Sequence, residues 1–288
     1  MIRINICQLE SPKELASVEE LQRLVWQGSD IEVVPVHMLL AALHGGGVLV
    51  GAYDGDALVG FVFGFPGFES TSDGMELRHC SHMAGVHPDY RDSGLGFKLK
   101  RAQWQMVRQQ GLNRITWTYD PLQSRNAMLN ITKLGAVCNN YYPNYYGKMR
   151  DQLNMSLPSD RFQVDWWVNS PRVNRRLSKS PRKKLDLAHY LSAGTARLNE
   201  TEINDAGIIT PRLSNISISS APLLLLEIPT DFQLIKTADP ILALEWRMHT
   251  RTIFQDMFAV GYLVTDFIFL PGSQPRSYYV LSFGESTL

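Results

Sequence analysis

The pattern of apolar and polar positions at the start of the chain predicts a strand followed by two helices. Apolar residues alternate with polar ones over residues 2–9, as in a half-buried strand. The tetrapeptide Ser-Pro-Lys-Glu at residues 11–14 supplies an N-capping serine, a proline for the first helical position and a glutamate for a capping box. A second helix is predicted over residues 36–43, and the glycines at 45–47 end it.

The next part of the chain alternates strands with helices. Asp54-Gly55 separates two apolar runs and predicts a hairpin turn. Apolar residues recur at helical spacing from Leu95, and Gly111 ends that helix. The predicted elements are strands over 48–53, 57–63, 76–86 and 114–119, a short helix over 124–134, and closing strands over 137–146 and 162–168.

A change of composition marks the end of the first predicted domain. Residues 171–187 contain seven lysines and arginines with two prolines and two serines, which is typical of a solvated linker. Beyond them, Asp239-Pro240 opens the best-marked helix of the chain, between a buried strand at 223–228 and a hairpin over 262–283. We predict a domain over residues 1–170, a basic linker over 171–187 and a smaller α/β extension over 188–288.

Composition and charge narrow the class of protein. Lys plus Arg and Asp plus Glu each number 28, so the chain lacks the basic excess of a general nucleic-acid binder. Cys7, Cys80 and Cys138 have no metal-ligand spacing and predict neither a metal site nor a disulfide framework. No stretch approaches the roughly 18 apolar residues of a membrane span, and the N-terminus lacks the pattern of a signal peptide. We expect a soluble cytoplasmic protein without a metal, a membrane partner or a nucleic-acid partner.

The loop at residues 86–96 is the segment most informative about chemistry, because it joins a predicted strand to a predicted helix. The first N–H groups of a helix have no partner inside it and lie at its positive dipole end, so they bind phosphate readily. Gly94 and Gly96 allow the backbone to approach a pyrophosphate closely, and Arg91 adds a bidentate charged donor. The alternative is a glycine-containing turn that only begins a helix.

Two other phosphate-binding loops fit this segment poorly. A dinucleotide-binding loop requires G-x-G-x-x-G, and its first glycine is missing here. A P-loop requires Gly-Lys followed by Ser or Thr, whereas Gly96 is followed by Phe97 and Lys98. Neither a Rossmann dinucleotide site nor a P-loop is therefore predicted.

The loop resembles the pyrophosphate-binding motif of the GNAT superfamily of acyl-CoA-dependent N-acyltransferases. The matching positions are Val86, Pro88, Arg91, Gly94 and Gly96. The order of predicted elements over residues 1–170 also fits that family. The resemblance implies an α/β (α+β) fold with a mixed, mostly antiparallel central sheet flanked by helices, in a branch of the family with a smaller α/β extension at the C-terminus.

The resemblance implies acetyl-CoA, or another acyl-CoA, as co-substrate. Backbone N–H groups near Gly85 and Val86 would polarise the thioester carbonyl in the manner of an oxyanion hole. Where the family often has an asparagine in its short helix, Ser124 stands here, with Asn126 close by. The predicted acyl-CoA-binding residues are Gly85, Val86, Arg91, Asp92, Ser93, Gly94, Leu95, Gly96 and Asn126.

The groups that transfer protons follow the family less closely. The family often has a tyrosine four residues before the glycine of the short helix, and here Ile131 stands there. Tyr145 or Tyr146 is therefore predicted as the general acid toward the leaving thiolate, and His82 or Glu76 as the base for the amine. A structural hydrogen bond for the histidine and sheet packing for the tyrosines are the alternatives.

The sequence thus predicts a GNAT-type N-acetyltransferase that moves an acetyl or short acyl group from acyl-CoA to a primary amine of a small molecule or peptide by direct attack. A non-catalytic acyl-CoA-binding regulatory module, favoured by Ile131, is the alternative. A nucleic-acid-binding protein that uses residues 171–187 is a third interpretation. A homodimer is left open. Residues after 187 are expected to pack on the first domain as a plain extension or, with less weight, as a degenerate second copy of the fold.

Overall fold

The structure is a computed structural model that describes residues 4–26, 32–147, 157–178, 185–205, 207–212 and 221–284. Its helices are α1 (Pro12–Val25), α2 (Val36–His44), α3 (Leu95–Gln109), α4 (Ser124–Ala127), α5 (Pro171–Leu177), α6 (Leu187–Ser192), α7 (Phe232–Ala238) and α8 (Pro240–Ala259). Its strands are β1 (Ile4–Gln8), β2 (Val48–Asp54), β3 (Ala57–Thr71), β4 (Gly74–Val86), β5 (Arg114–Tyr119), β6 (Val137–Tyr142), β7 (Arg161–Trp167), β8 (Ala196–Arg197), β9 (Thr201–Ile203), β10 (Ile209–Pro211), β11 (Leu223–Ile228), β12 (Tyr262–Leu270) and β13 (Arg276–Phe283). Among the described helices, none is both long and apolar enough to cross a membrane.

Helix α1 begins where the sequence predicts it. The Glu14 N–H donates to the Ser11 hydroxyl, and the Ser11 N–H donates to the Glu14 carboxylate at 2.9 Å, which completes the capping box. Leu15, Val18 and Leu21 lie on one side of the helix and are buried. They form a hydrophobic core with residues of α2, β2 and β3.

The described residues form two compact units. The first contains the described residues up to Trp117 together with 167–169, and the second contains the remainder from Thr118 onward. The division therefore falls inside β5 and not at the predicted boundary at residue 170. The reason is that β6, predicted to close the first domain, pairs with β12 from the C-terminal part of the chain.

In the first unit the strands lie in the order β1-β2-β3-β4-β5. Each neighbouring pair is antiparallel except β4 and β5, which are parallel. The register of that parallel pair joins His79 with Ile115 and Cys80 with Thr116. Trp117 is the next residue of β5 after these pairs.

Helices cover both faces of this sheet. The side chain of Phe61 in β3 packs in the core with α1 and α2, whereas the adjacent Gly60 faces Leu95 and Leu99 of α3. Neighbouring residues of a strand point to opposite faces, so α3 lies on the face opposite α1 and α2. The predicted mixed, mostly antiparallel sheet flanked by helices is confirmed.

A β-bulge interrupts β4 at His82. The register pairs that flank the bulge are Phe63 with Met83 and Gly64 with Ser81. His82 is therefore an extra residue without an opposite partner on β3. In a regular strand His82 would share a face with Val86, four residues on, and the bulge removes that relation.

In the second unit the strands lie in the order β7-β6-β12-β13-β11-β8. Neighbouring pairs are antiparallel except β11 and β8, which are parallel. Helix α8 begins at the predicted cap, where the Asp239 carboxylate accepts a hydrogen bond from the Leu242 N–H at 3.0 Å. Trp246, Ile253 and Met257 of α8 are buried, as their spacing predicts.

The second unit contains one arrangement twice. In each copy a glycine with positive φ, Gly135 or Gly261, follows a helix and precedes a strand, β6 or β12, whose outer partner is the next strand, β7 or β13. Strands β6 and β12 lie side by side in register at Cys138 and Val264, each the third residue after its glycine. Immediately after these residues, both strands have an irregularity in their outer pairing. The arrangement favours a degenerate second copy of this part of the fold over a plain extension.

Part of the predicted basic linker is a helix with structural contacts. Helix α5 lies within residues 171–178, whereas residues 179–184 lie outside the described residues. Arg172 donates from Nε to the Gly135 carbonyl at 2.9 Å and from Nη2 to the Thr265 carbonyl. Burial lowers the pKa of Arg172 to about 10. This arginine joins parts of the second unit, in contrast to the solvated linker that the sequence predicts.

Candidate functional site

The predicted phosphate loop leads from the end of β4 into α3. A 3-10 turn, Pro88–Tyr90, follows β4, and Gly94 is the N-cap residue of α3. Asp92 and Gly94 have left-handed backbone, with φ of 63° and 79°. Left-handed residues in such a loop turn successive N–H groups toward one side, which is how anion-binding nests form. The N–H groups of residues 92–96 are therefore suited to a pyrophosphate, and the buried Leu95 can offer only its backbone.

Side-chain hydrogen bonds hold this loop in place. The Ser93 hydroxyl donates to the Tyr90 carbonyl at 2.6 Å, and the Tyr90 hydroxyl donates to Asp54 Oδ2 at 2.7 Å. Arg91 Nε donates to the Val86 carbonyl at 3.5 Å. The Arg91 side chain is exposed, so its guanidinium can also meet a phosphate group at the surface.

The end of β4 directs two backbone donors away from its partner strand. The His87 N–H donates to the Val59 carbonyl of the β3 side at 2.9 Å. Hydrogen-bonded and non-hydrogen-bonded pairs alternate along antiparallel strands, so Gly85 also bonds to β3, whereas the N–H groups of Ala84 and Val86 point away from it. The strand therefore offers the donors of Ala84 and Val86 to a ligand.

Gly85 is needed for a reason other than the predicted oxyanion contact. Its N–H is directed into the ladder with β3, which corrects the expectation that it polarises a thioester. A Cβ at this position would lie 2.8 Å from the ring of Phe61 and 3.2 Å from the ring of Trp26. Gly85 thus allows β4 to pack closely against these rings.

His82 lies at the bulge of β4. The centroid of its ring is 6.1 Å from that of Phe63 and 5.9 Å from that of Phe65. Desolvation in these surroundings lowers the pKa of His82. A lowered pKa keeps the imidazole neutral at pH 7, the form that accepts a proton.

Glu76 lies near the opposite end of β4. Ten residues separate it from Val86, a distance of roughly 30 Å along an extended strand. Its Oε2 lies 3.4 Å from Arg114 Nη2, and Arg114 also pairs with Glu69. The structure does not bring Glu76 together with the phosphate loop or with the N–H groups at the end of β4.

A buried polar cluster between α3 and β4 was missed by the sequence analysis. We call it the Lys100 cluster, and it consists of Lys100, Ser81, Gln103 and His79. Lys100 is 4% exposed, and its Nζ donates to Ser81 Oγ at 2.8 Å and to Gln103 Oε1 at 3.0 Å. The same Nζ lies 3.7 Å from the ring centroid of Trp117 in β5. A lysine and a glutamine on the apolar side of an amphipathic helix are the signal that could have revealed the cluster.

Burial controls the charge of the Lys100 cluster. It lowers the pKa of Lys100 to about 7. Burial, and secondarily the charge of Lys100, lowers the pKa of His79 to about 3. Gly64 makes room for this histidine, because a Cβ there would lie 2.3 Å from His79 Nε2. Lys100 can therefore change its charge near neutral pH, whereas His79 remains neutral there.

The two predicted tyrosines lie together in a turn of the second unit. Tyr145 and Tyr146 are 48% and 55% exposed, and their ring centroids are 4.8 Å apart. Both N–H groups donate to Ser159, from Tyr145 to its carbonyl at 3.1 Å and from Tyr146 to its hydroxyl at 2.9 Å. The Tyr146 hydroxyl lies 3.1 Å from Thr118 Oγ1. Their exposure leaves both side chains accessible to a ligand.

Helix α8 fixes the start of this turn. Arg251 binds Asp160 through two hydrogen bonds of 2.8 and 2.7 Å. The same carboxylate accepts hydrogen bonds from the Tyr141 hydroxyl at 2.6 Å and from the Asn144 N–H at 2.9 Å. Asn144 has a φ of 47°, a left-handed conformation that asparagine tolerates. The turn that carries the tyrosines is thereby anchored to α8.

A second arginine of α8 forms a buried ion pair. Arg247 is 2% exposed and binds Asp120 through two hydrogen bonds of 2.7 and 2.6 Å. Burial alone would raise the pKa of Asp120, but the Arg247 guanidinium outweighs it and the pKa is lowered. Asp120 is thus held as a carboxylate within an ion pair, which makes it a poor proton acceptor.

The three positions of the short helix that the sequence analysis singled out differ in their exposure. Asn126 is exposed on α4, whereas Ser124 is buried and its Oγ lies 3.0 Å from Ser277 Oγ. Ile131 is fully buried in the π-helical turn that continues α4. Of these three residues, only Asn126 presents a polar side chain to a ligand.

Comparison with known proteins identifies the family to which residues 15–135 are similar. A sequence profile described as the acetyltransferase (GNAT) family matches residues 15–135. No curated protein matches the chain with significant similarity. Aminoglycoside 6'-acetyltransferase type Ii is 19% identical, with 58% of this chain and 98% of that chain covered and a TM-score of 0.45.

Two further solved structures are similar to part of the chain. Ard1 from Thermoplasma volcanium is 19% identical, covers 58% of this chain and 99% of its own, and gives a TM-score of 0.43. The yncA protein from Salmonella typhimurium, solved with its cofactor acetyl-CoA, is 15% identical. The match covers 58% of this chain and 95% of that protein, with a TM-score of 0.44.

The family match contains the phosphate loop and the strand that leads into it. It confirms the resemblance and the expectation of a GNAT-type N-acetyltransferase enzyme. Acetyl-CoA is the co-substrate of that family. Residues 15–135 therefore carry an acetyltransferase domain of the GNAT family.

Proposed function

We propose that this protein transfers an acetyl or other short acyl group from acyl-CoA to a primary amine of a small molecule or peptide by direct attack. The observation that carries the proposal is the junction of β4 and α3. There the N–H groups of Ala84 and Val86, directed away from β3, lead into the left-handed loop at Asp92 and Gly94. One short segment thus supplies donors for both a pyrophosphate and a thioester.

Backbone donors perform most of the proposed chemistry. Residues 92–96 bind the pyrophosphate, with added charge from Arg91. The outward N–H groups of Ala84 and Val86 bind the thioester carbonyl, whose oxygen gains negative charge as the amine attacks. Donors already fixed in a strand stabilise that charge without reorganisation, and losing one such donor typically reduces kcat by a factor of about 100 to 1,000.

Two side-chain roles complete the reaction. His82 accepts a proton from the amine, and its lowered pKa keeps it in the neutral form required. The amine nitrogen forms its bond to the carbonyl carbon, the carbon–sulfur bond breaks, and Tyr145 or Tyr146 donates a proton to the thiolate. Glu76 is the weaker candidate for the base because of its distance from Val86 along β4.

A non-catalytic acyl-CoA-binding module remains the second candidate function. The observation in its favour is Ile131, which is fully buried at the position where the family often has its acid. Calorimetry with acetyl-CoA and an assay for released CoA thiol, run with a panel of amino acids, peptides, polyamines and amino sugars, separate the two. Saturable binding with thiol release that depends on one amine supports the enzyme. Binding without release from any amine supports the module, and absence of binding contradicts both.

A further inference from the structure

The Lys100 cluster connects three elements of the first unit. Lys100 lies in α3, five residues after Leu95, the first residue of the helix that begins at the phosphate loop. Its Nζ contacts Ser81 of β4 at 2.8 Å and the ring of Trp117 of β5 at 3.7 Å. Ser81 is adjacent to the bulge residue His82. One ammonium group therefore touches all three elements.

The contacts lie where β4 and β5 stop being in register. The last register pair joins Cys80 with Thr116, and the next residues along the two strands are Ser81 and Trp117. Lys100 contacts both of these next residues. Past this point, β4 continues through the bulge to Ala84 and Val86, whose N–H groups point away from β3.

Stability alone does not account for a lysine at this position. Burial penalises its charged form, as its lowered pKa shows. The partners at Ser81, Gln103 and Trp117 are neutral groups. Replacement of buried charged groups by apolar side chains of similar volume is often neutral or stabilising. A methionine would fill much the same space without that penalty.

We propose that Lys100 is a positioning residue of the acyl-CoA site, which holds the end of β4 at a fixed offset from the phosphate loop. The inference rests on the acyl-CoA binding proposed above. A single acyl-CoA must meet the loop at one end of its chain and the outward N–H groups of β4 at the other. Displacement of one set of donors by about 1 Å reduces the fit of the whole ligand, and errors of that size cost rate as well.

The contacts of Lys100 depend on pH because its amino group can lose its charge. On β4, His79 stays neutral because its pKa is lowered to about 3, and burial raises the pKa of the Cys80 thiol. From α3 and β5, the amide of Gln103 and the indole of Trp117 contact Lys100, and neither of them titrates. Proton loss from Lys100 removes its attraction to the indole ring and weakens its hydrogen bond to Ser81.

The test compares the affinity of Lys100→Met and wild type for acetyl-CoA by calorimetry, at pH 6 and pH 9. We expect K100M to bind at least tenfold more weakly at pH 6, with a urea midpoint equal to or above that of wild type. The ratio of the two dissociation constants should fall toward 1 at pH 9, because wild-type Lys100 is then neutral. Ionisation of the ligand itself cancels in this ratio. Arg101→Met is the matched control, since Arg101 is the next residue of α3 and is exposed.

The outcomes separate this inference from the proposed function. If wild type does not bind acetyl-CoA, the proposed function fails. If wild type binds and K100M binds equally well at both pH values, the positioning role of Lys100 is overturned while the proposed function stands. If K100M does not fold, Ser81→Ala replaces it, because it removes the anchor of Lys100 on β4 with a smaller change. Unchanged affinity in S81A then overturns the inference, and a loss at pH 6 that shrinks at pH 9 supports it.

Discussion

Gly94 has a conformation that few residues tolerate. Its φ of 79° places it in the left-handed region, and a Cβ built on it meets nothing within 4 Å. A side chain there would be strained without a clash inside the protein. In the proposed function, the pyrophosphate occupies this open space beside the loop.

Gly94→Val should weaken acetyl-CoA binding at least tenfold, because its side chain lies against the phosphate site. It should also cost about 1–2 kcal/mol of stability, the strain of a left-handed residue with a Cβ. Gly111→Val is the matched control, since Gly111 has a φ of 78° after the other end of α3 and no atom within 4 Å of its added Cβ. Calorimetry and urea unfolding on both variants check this. Equal affinities in the two variants would contradict the assignment of the loop.

Tyr145→Phe or Tyr146→Phe should reduce kcat by tenfold or more once an acceptor is identified, because a general acid contributes a factor of about 100 or more. The two rings share one turn and similar exposure, so each variant serves as the control for the other. Steady-state kinetics with the acceptor held at saturation measure the effect. A kcat within twofold of wild type in both single variants and in the double variant rules out the acid role for this pair.

The stability of the protein should depend on pH through Lys100. Its folded pKa of about 7 lies below the usual value near 10.4, so the unfolded chain binds one more proton between these limits. Stability therefore rises with pH across this window, by up to about 1.4 kcal/mol per pH unit from this group. Urea unfolding of wild type and Lys100→Met at pH 7, 8 and 9 should show a slope in wild type that the variant lacks. Parallel curves would show that Lys100 has an ordinary pKa.

At the scale of elements, the sequence predicts what local chemistry determines. Strand β4, the loop and α3 were predicted because the glycines of the loop and the helical spacing of apolar residues from Leu95 are local signals. The bulge at His82 was not predicted, since it depends on pairing with β3. Strand β3 also runs to Thr71, past the predicted end at residue 63, because residues 64–71 pair with β4 and do not form a loop. The ion pair of Asp120 with Arg247 joins positions 127 residues apart, a separation that no local pattern reveals.

Arg247→Met should destabilise the protein by about 3–5 kcal/mol, because it leaves the buried Asp120 carboxylate without its partner. The double variant Asp120→Asn with Arg247→Met should recover much of that loss, since no buried charge then remains in the pair. Unfolding free energies of the wild type, both single variants and the double variant give the coupling energy. A coupling energy near zero would show that the pair is not a unit of stability.

At the scale of the whole molecule, the sequence located the acetyltransferase motif, whereas the two compact units divide after Trp117 and not at residue 170. The boundary predicted at residue 170 followed charge and proline content. The structure instead joins β6 and β7 to strands after residue 220 in one sheet, and Arg172 of the predicted linker contacts Gly135. Long-range strand pairing determines this division, and composition does not report it.

A fragment of residues 1–187 should not fold as cooperatively as the full chain. It contains β6 but lacks β12, so the edge of β6 that pairs at Cys138 with Val264 is exposed. Exposed strand edges promote aggregation, so we expect low solubility and a lower, broader thermal transition. Circular dichroism and sedimentation of the fragment and the full chain provide the comparison. A soluble fragment with an unchanged melting temperature would show that the C-terminal strands are dispensable to the sheet.

The pairing of β6 with β12 has a consequence for self-association. Two copies of a fold can join edge to edge about a twofold axis, and equivalent residues then meet near that axis. Here Cys138 and Val264 stand in that relation within one polypeptide, so the chain contains its own partner for β6. An association between molecules depends on their concentration, whereas a covalently linked partner is present at any dilution. The edge of β6 is thus already occupied in the monomer, and dilution to nanomolar concentrations should leave the melting temperature unchanged.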